Sequence, residues 1–487
     1  MLTFIIGIFI LITGGVLYGR LCERVIKPTD NATPATTMRD DVDFVPMKKW
    51  KNSLIELLNI AGTGPILGPI QGILFGPIAF ITIPIGCVLG GAFHDYMVGM
   101  ISVRNNGDQT PGLVRRFLGN YIYHIYQIFV CMLMLLVAVV FTYMPGDLFV
   151  SSVLNQDAHL SNPVIWVVYG VIFGYYILAT LFPIDKIIGK IYPFFGAILL
   201  ISAVGVFVGL FIHGYPLCEI WQAAPAVFPY EKHFLPLFFV TVTCGICSGF
   251  HSTQATIVSR TIENEHEGRT TFYDMMIAEG FIAMTWAAAA MGAVRLGLVN
   301  YQDLSQAPVS VVGVVSKNML GHIGGLIAII GVIVLPITSG DTALRSLRMM
   351  VGDALHIDQT KKRHSLAIAL CIFALVSLLL MWAKHDPEGF NVIWRYFSWA
   401  NETTVVFVLT MVAVYMKRNN MPYMMAIIPA AFYLFIISGY ILHAQIGFHL
   451  PWNISTIFAV TFSVIYVIIV ILRTKTNIFS KKEKRKK

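Results

Sequence analysis

Long apolar runs alternate with short polar connectors along the whole chain, and each run is longer than the helices of a soluble core. With about 20 residues needed for one membrane crossing, thirteen runs qualify, at residues 2–19, 53–76, 77–102, 121–143, 162–181, 191–212, 234–256, 272–298, 322–344, 364–383, 392–415, 422–442 and 453–472. The pattern predicts an all-α polytopic membrane protein of about 13 transmembrane helices. The first run has no basic segment before it, and Tyr18-Gly19-Arg20 offers no small-x-small cleavage site. It therefore reads as a retained helix, not a signal peptide.

Charge sets the orientation. Lys and Arg are enriched in cytoplasmic loops, and with the N-terminus outside and the C-terminus inside only Lys232, Arg295, Lys317, Lys384 and Arg395 of the 34 Lys and Arg face outward. A wrong number of spans would scramble that bias. The net charge of +8 is concentrated at helix ends and in the tail at residues 481–487, a distribution that suits anionic headgroups and not nucleic acid.

Composition narrows the class. The chain is 56% apolar and 12% charged, against about 25% charged in soluble proteins, which excludes a soluble enzyme on one anchor. Seven cysteines, an odd number lying mostly in apolar runs, argue against a disulfide framework. No Walker motif is present, the histidines form no paired ligand sets, and Cys244-x-x-Cys247 lacks the context of a redox fold. With no large extramembrane module, no enzyme activity and no cofactor are expected, and the remaining classes are ion-coupled transport, a passive channel, or intramembrane quinone or haem redox work. Glycines spaced four apart (Gly86/Gly90, Gly170/Gly174, Gly205/Gly209, Gly321/Gly325) predict close helix packing.

Two stretches cannot be ordinary spanning helices. Ala61-Gly62-Thr63-Gly64-Pro65-Ile66-Leu67-Gly68-Pro69 carries two prolines and three glycines, and Cys244-Gly245-Ile246-Cys247-Ser248-Gly249-Phe250-His251-Ser252 interrupts the seventh run. The bland reading is a pair of kinked packing helices. However, the breaks lie five crossings apart, so two successive five-helix units have opposite orientation. Broken helices at matching places in inverted halves point to a transporter's midplane site. The implied organisation is 1–52, an N-terminal helix and cytoplasmic loop; 53–212 and 234–415, the two inverted repeats; and 416–487, two extra helices and a basic tail. Backbone unwinding is expected over residues 62–69 and 244–251.

The motifs Ile60-Ala61-Gly62-Thr63-Gly64-Pro65-Ile66-Leu67-Gly68-Pro69, Gly91-Ala92-Phe93-His94-Asp95, Ser102-Val103-Arg104-Asn105-Asn106-Gly107, Thr243 to Ser252, Thr338-Ser339-Gly340-Asp341-Thr342-Ala343-Leu344-Arg345 and Trp399-Ala400-Asn401-Glu402 resemble, in order, those of the carbon starvation protein A (CstA) family of bacterial inner-membrane transporters. The resemblance covers residues 60–402. It implies a LeuT-like core of the amino acid–polyamine–organocation type, and uptake of pyruvate or short peptides in carbon starvation. Where the family pattern has Gln after the Asn, this chain has Glu402, which alters the charge available for coupling.

These readings make Gly62, Thr63, Gly64, Pro65, Gly68, Gly245, Ser248, Gly249, His251 and Asn401 candidates for substrate binding. Ionisable groups inside spans usually mark a pathway or relay, which makes His94, Asp95, Asp341 and Glu402, with the hydroxyls of Thr338, Ser339 and Thr342, candidates for ion coupling; Glu279 is a further embedded carboxylate. Each has a structural alternative: His94 and Asp95, about 100° apart on a helix, need not pair with each other, His251 could be a satisfied core histidine, and Asp341 could form a helix–helix knot with Arg345. The expected substrate is a carboxylate held by half-helix N–H groups, because the only arginines within outer parts of spans are Arg295 and Arg395. Importing an anion against a negative-inside potential costs about 2.3 kcal/mol per charge per 100 mV, so co-transport of a cation is expected. Protons are favoured over sodium, for which Thr338, Ser339 and carbonyls near Gly62 would be the ligands. Asp341 is the residue expected to titrate.

Overall fold

The computed structural model describes residues 1–40, 43–181, 185–222, 234–357 and 362–475, all helical or connecting; Lys232, Lys361 and the basic tail lie outside them. The elements are α1 (Leu2–Ile26), the pair α2 (Lys49–Ile60) and α3 (Gly64–Gly72), α4 (Ala79–Val103), α5 (Asn120–Leu148), α6 (Pro163–Leu181), α7 (Asp185–Ile212), the pair α8 (Phe234–Ile246) and α9 (Gly249–Val258), α10 (Asp274–Arg295), α11 (Pro308–Ala354), α12 (Lys362–His385), α13 (Gly389–Arg418), α14 (Met424–His443) and α15 (Trp452–Lys475). Every predicted run lies on one of these helices. Among the described residues, ten helices are long and apolar enough to cross a membrane, and eleven when α2 and α3 count as one bent span. The runs at 162–181 and 191–212 give shorter apolar helices, Pro163–Ala179 and Gly196–Ile212.

The apolar pattern also sorts inner helices from peripheral ones. The most enclosed spans are Phe234–Val258, Glu265–Arg295 and Gly389–Arg418, and the least enclosed is Trp452–Leu472. On α15, Ile457, Val464 and Ile468 point outward, as a lipid-facing helix requires, since hydrocarbon carries no penalty for them.

The glycine pairs divide. A Cβ on Gly86 would lie 2.4 Å from Ile246, and Gly205 and Gly209 face Leu320 and Met319 at 2.9 and 3.1 Å. These are close packings. Gly170 and Gly174 meet nothing within 4 Å, so packing does not account for them. Gly321 serves a different purpose: its φ of 70° turns the backbone inside α11, a conformation that side chains disfavour.

Candidate functional site

The first break is narrower than its motif. Helix stops at Ile60 and resumes at Gly64, with a bend of 51° across Ala61, Gly62 and Thr63. The expected unwinding over 62–69 is corrected to 61–63, because Pro65 occupies the first turn of α3, where its missing N–H has no helical partner to lose. Pro69 is accommodated inside α3. Gly62 faces Phe141, and the buried Thr63 hydroxyl has no hydrogen-bond partner among the described residues.

The second break is narrower too. Cys247 and Ser248 alone leave the helix, Ser248 being extended at φ −125°, ψ 126°, and α9 starts at Gly249. The expected span of 244–251 is corrected accordingly. Hydrogen bonds end and restart cleanly here because Asn401 of α13 supplies the cap. Its Oδ1 accepts from the Phe250 amide at 2.8 Å and the Ser248 hydroxyl at 3.2 Å, and its Nδ2 donates to Ser248 Oγ at 2.9 Å and Cys244 Sγ at 3.3 Å. An N-terminal amide expected to await an anion is thus already engaged.

The two broken helices meet directly. A Cβ on Gly64 would lie 2.1 Å from Cys244 Cβ, one on Gly68 3.0 Å from the Thr241 carbonyl, and one on Gly245 3.2 Å from Pro69. Gly249 is pressed against Thr404 and the Asn401 carbonyl. These glycines set the spacing of α3, α8, α9 and α13, as small residues do where helices must approach closely.

Beside the second break lies a buried polar cluster. His94 and Asp95 do pair: His94 Nδ1 donates to Asp95 Oδ1 at 2.7 Å. Asp95 Oδ2 accepts from His251 Nδ1 at 3.0 Å, and His251 Nε2 lies 3.6 Å from Glu279 Oε2. Four groups from α4, α9 and α10 thus form a continuous chain, all fully or almost fully buried. Both carboxylate oxygens of Glu279, and His94 Nε2, lack a hydrogen-bond partner among the described residues. Glu56 of α2 is also fully buried, unbonded among the described residues and within electrostatic reach of Asp95 and Glu279. Sequence reasoning missed Glu56, which stands at the start of the run 53–76. No Lys or Arg bonds to any of these carboxylates among the described residues. Buried charge without a counter-ion is costly, and here the carboxyl groups of Asp95, Glu279 and Glu56 face only the imidazoles of His94 and His251 among the described residues.

The other coupling candidates sit elsewhere. Asp341 Oδ2 accepts from Tyr175 of α6 at 3.2 Å, and Oδ1 lies 3.8 Å from Arg345, one turn further along α11 itself. Thr338 donates to the Leu335 carbonyl and Thr342 to that of Thr338, while Ser339 Oγ is buried without a partner among the described residues. Glu402, one residue past the cap, is fully buried and unbonded among the described residues.

The Arg104 motif forms a latch between the end of α4, the loop after α1 and Glu265. Arg104 Nε and Nη2 donate to Glu265 at 3.0 and 2.8 Å, and its Nη1 and Nη2 donate to the carbonyls of Ile26 and Lys27. The Thr29 amide donates to the same carboxylate at 2.9 Å. This bidentate pair ties the end of α4 to the loop after α1.

Comparison with known proteins agrees with the fold. A family profile described as Carbon starvation protein CstA matches residues 1–190 and 146–317. An uncharacterized membrane protein of Haemophilus influenzae is 39% identical over 349 residues, 62% of this chain and 92% of the relative. The peptide transporter CstA of Helicobacter pylori is 25% identical over 58% of this chain and 50% of its own, and the pyruvate/proton symporter BtsT of Escherichia coli is 24% identical over 55% and 46%. The chain thus spans about half the length of these two transporters. Among solved structures, a manganese transporter of Eremococcus coleocola superposes with a TM-score of 0.58 over 90% of this chain and 99% of its own, at 13% identity, a likeness of fold. Among the described residues, no three His, Cys, Asp or Glu side chains gather as ligands for one metal ion.

Proposed function

The chain belongs to the carbon starvation protein CstA family, and on that premise we propose that it is a secondary transporter of the bacterial cytoplasmic membrane, importing a small carboxylate such as pyruvate, or short peptides, by proton symport. The observation that carries the coupling is Asp95, a buried carboxylate bonded to two imidazoles directly beside the second helix break. A proton arriving there has a path of neighbours, His94, His251 and Glu279, with Glu56 close by, and each can take it in turn. Asp341 remains a second titratable group, but its partners Tyr175 and Arg345 are not part of this chain of contacts.

The division into inverted repeats 53–212 and 234–415 is supported by a broken pair opening each five-helix unit, and the N-terminus outside by the distribution of Lys and Arg. Asn401 then belongs to the last helix of the second unit and secures the break of its first. A substrate reaching Ser248 and Gly249 would exchange with the Asn401 cap, which links binding to the position of α13.

The test is uptake of pyruvate and of a dipeptide into proteoliposomes under separate proton and sodium gradients. Concentrative uptake under the proton gradient, lost with an ionophore and in Asp95→Asn, is the expected result. Uptake indifferent to the ionophore but lost without sodium would overturn proton coupling in favour of the sodium reading, for which the unbonded Ser339 hydroxyl is the best candidate ligand.

A further inference from the structure

A cavity of about 420 Å³ lies between the outer ends of the two broken helices and the start of α13, on the outward side in the orientation set by charge. Its wall includes Gln71 of α3, Thr241 of α8, Arg395 and Ser398 of α13, His443 at the end of α14 and His449 in the connection after it. That volume lies in the range that holds a small ligand. Among the described residues the lining has a guanidinium and two imidazoles and no Asp or Glu.

Arg395 supplies the guanidinium of this wall. It is half-buried and forms no ion pair among the described residues. The carboxylate one turn before Asn391, Glu388, is bonded to Asn391 Nδ2 at 3.1 Å. An arginine in the outer part of a span runs against the charge bias that places nearly all other cations inside, and embedded cations are kept where they meet a ligand or a partner. A guanidinium presents a planar fork that fits a carboxylate with two parallel hydrogen bonds.

Position then connects this cavity to the second break. Asn391, Arg395, Ser398 and Glu402 follow one another at three- and four-residue spacing, so they share a face of α13, and Asn401 lies beside them. From Arg395 to Asn401 is six residues, about 9 Å along the axis. Resting on the transport reading above, we infer that the outer cavity is a capture site at which Arg395 holds the carboxylate of the incoming substrate before it passes down α13 to the Asn401–Ser248 break. The site selects for a free carboxylate and gives the outside a binding step separate from proton coupling.

The test is calorimetric titration of the full-length protein in nanodiscs with pyruvate, with a dipeptide, and with pyruvamide and the dipeptide amide, alongside proteoliposome uptake. Wild type is expected to bind the free acids saturably and the amides at least tenfold more weakly. Arg395→Gln should weaken acid binding at least tenfold and raise the half-saturation concentration for uptake by a similar factor, with maximal rate within threefold. Arg395→Lys, which keeps the charge but loses the fork, should fall between, and carries the test if Arg395→Gln fails to fold. Equal binding of acids and amides, Arg395→Gln binding like wild type, or no saturable binding of any acid would each overturn the capture site. Intact, Arg395-dependent binding without concentrative uptake would support the capture site and overturn the transport reading.

Discussion

Gly64→Ala probes the contact on which the whole site depends. The added Cβ would sit 2.1 Å from Cys244 Cβ and 2.6 Å from its Sγ, where carbon atoms prefer about 3.5–4.0 Å. The obstruction is the root of a side chain and not a flexible tip, so α3 and α8 must separate by about 1.5 Å to relieve it. The same movement would unseat Gly68 from the backbone of Thr241 and Val242, and Gly245 from Pro69. Overpacking of this kind costs about 1–3 kcal/mol, and the displacement shifts both breaks. We expect a lower melting temperature in detergent and at least a tenfold loss of uptake. Cys244→Gly alone should cost about 1 kcal/mol for a glycine in a helix, besides the Asn401 contact to sulfur. In the double variant the clash is gone, so its stability should exceed the sum of the single effects by about 1–2 kcal/mol. Melting curves and uptake for the four proteins complete the cycle. Wild-type melting and uptake in Gly64→Ala, or strict additivity in the double variant, would refute the direct crossing of the two broken helices.

Further variants test the remaining contacts. Asn401→Ala leaves the Phe250 amide and Ser248 without their acceptor, a loss of about 1–3 kcal/mol that thermal melting should register along with abolished uptake; unchanged melting would show that the cap is dispensable. Asp95→Asn, which faces His94, His251, Glu279, Glu56, Cys87 and Cys247, should retain counterflow exchange but lose the rise of uptake as external pH falls, while Asp341→Asn should retain it; the reverse outcome would return the titrating role to Asp341. Glu265→Gln removes the charge that Arg104 and the Thr29 amide share, so hydrogen exchange over residues 27–37 should accelerate, and an unchanged rate would argue against the latch.

Local chemistry made much of this molecule legible in advance. Apolar runs long enough to span a bilayer have few alternatives to helix, because backbone groups in hydrocarbon must bond within their own segment, so the runs appear as helices, ten of them, or eleven with the bent pair, long and apolar enough to span among the described residues. Proline and glycine act on their own turn, so the two breaks could be placed within residues 62–69 and 244–251 without knowing any neighbour. Their extent was overestimated, since a proline is as compatible with the start of a helix as with its interruption. His94, Asp95, His251 and Glu279 stood out in the sequence through the cost of ionisable groups inside spans. Which of them touch did not: it depends on the rotation and crossing of α4, α9 and α10, set by the close packing of Gly86 and Gly91 on Ile246 and of other pairs far apart in sequence. Glu56 joins the cluster, Asp341 turns to Tyr175 and Arg345, and Asn401 reaches across 153 residues to cap Ser248 for the same reason. Sequence by itself determined the helices, their charge bias and the points where they break, because those follow from interactions within a few residues. Tertiary structure alone decided which buried groups became partners, because a hydrogen bond is a matter of ångströms between helices whose relative placement no local pattern contains.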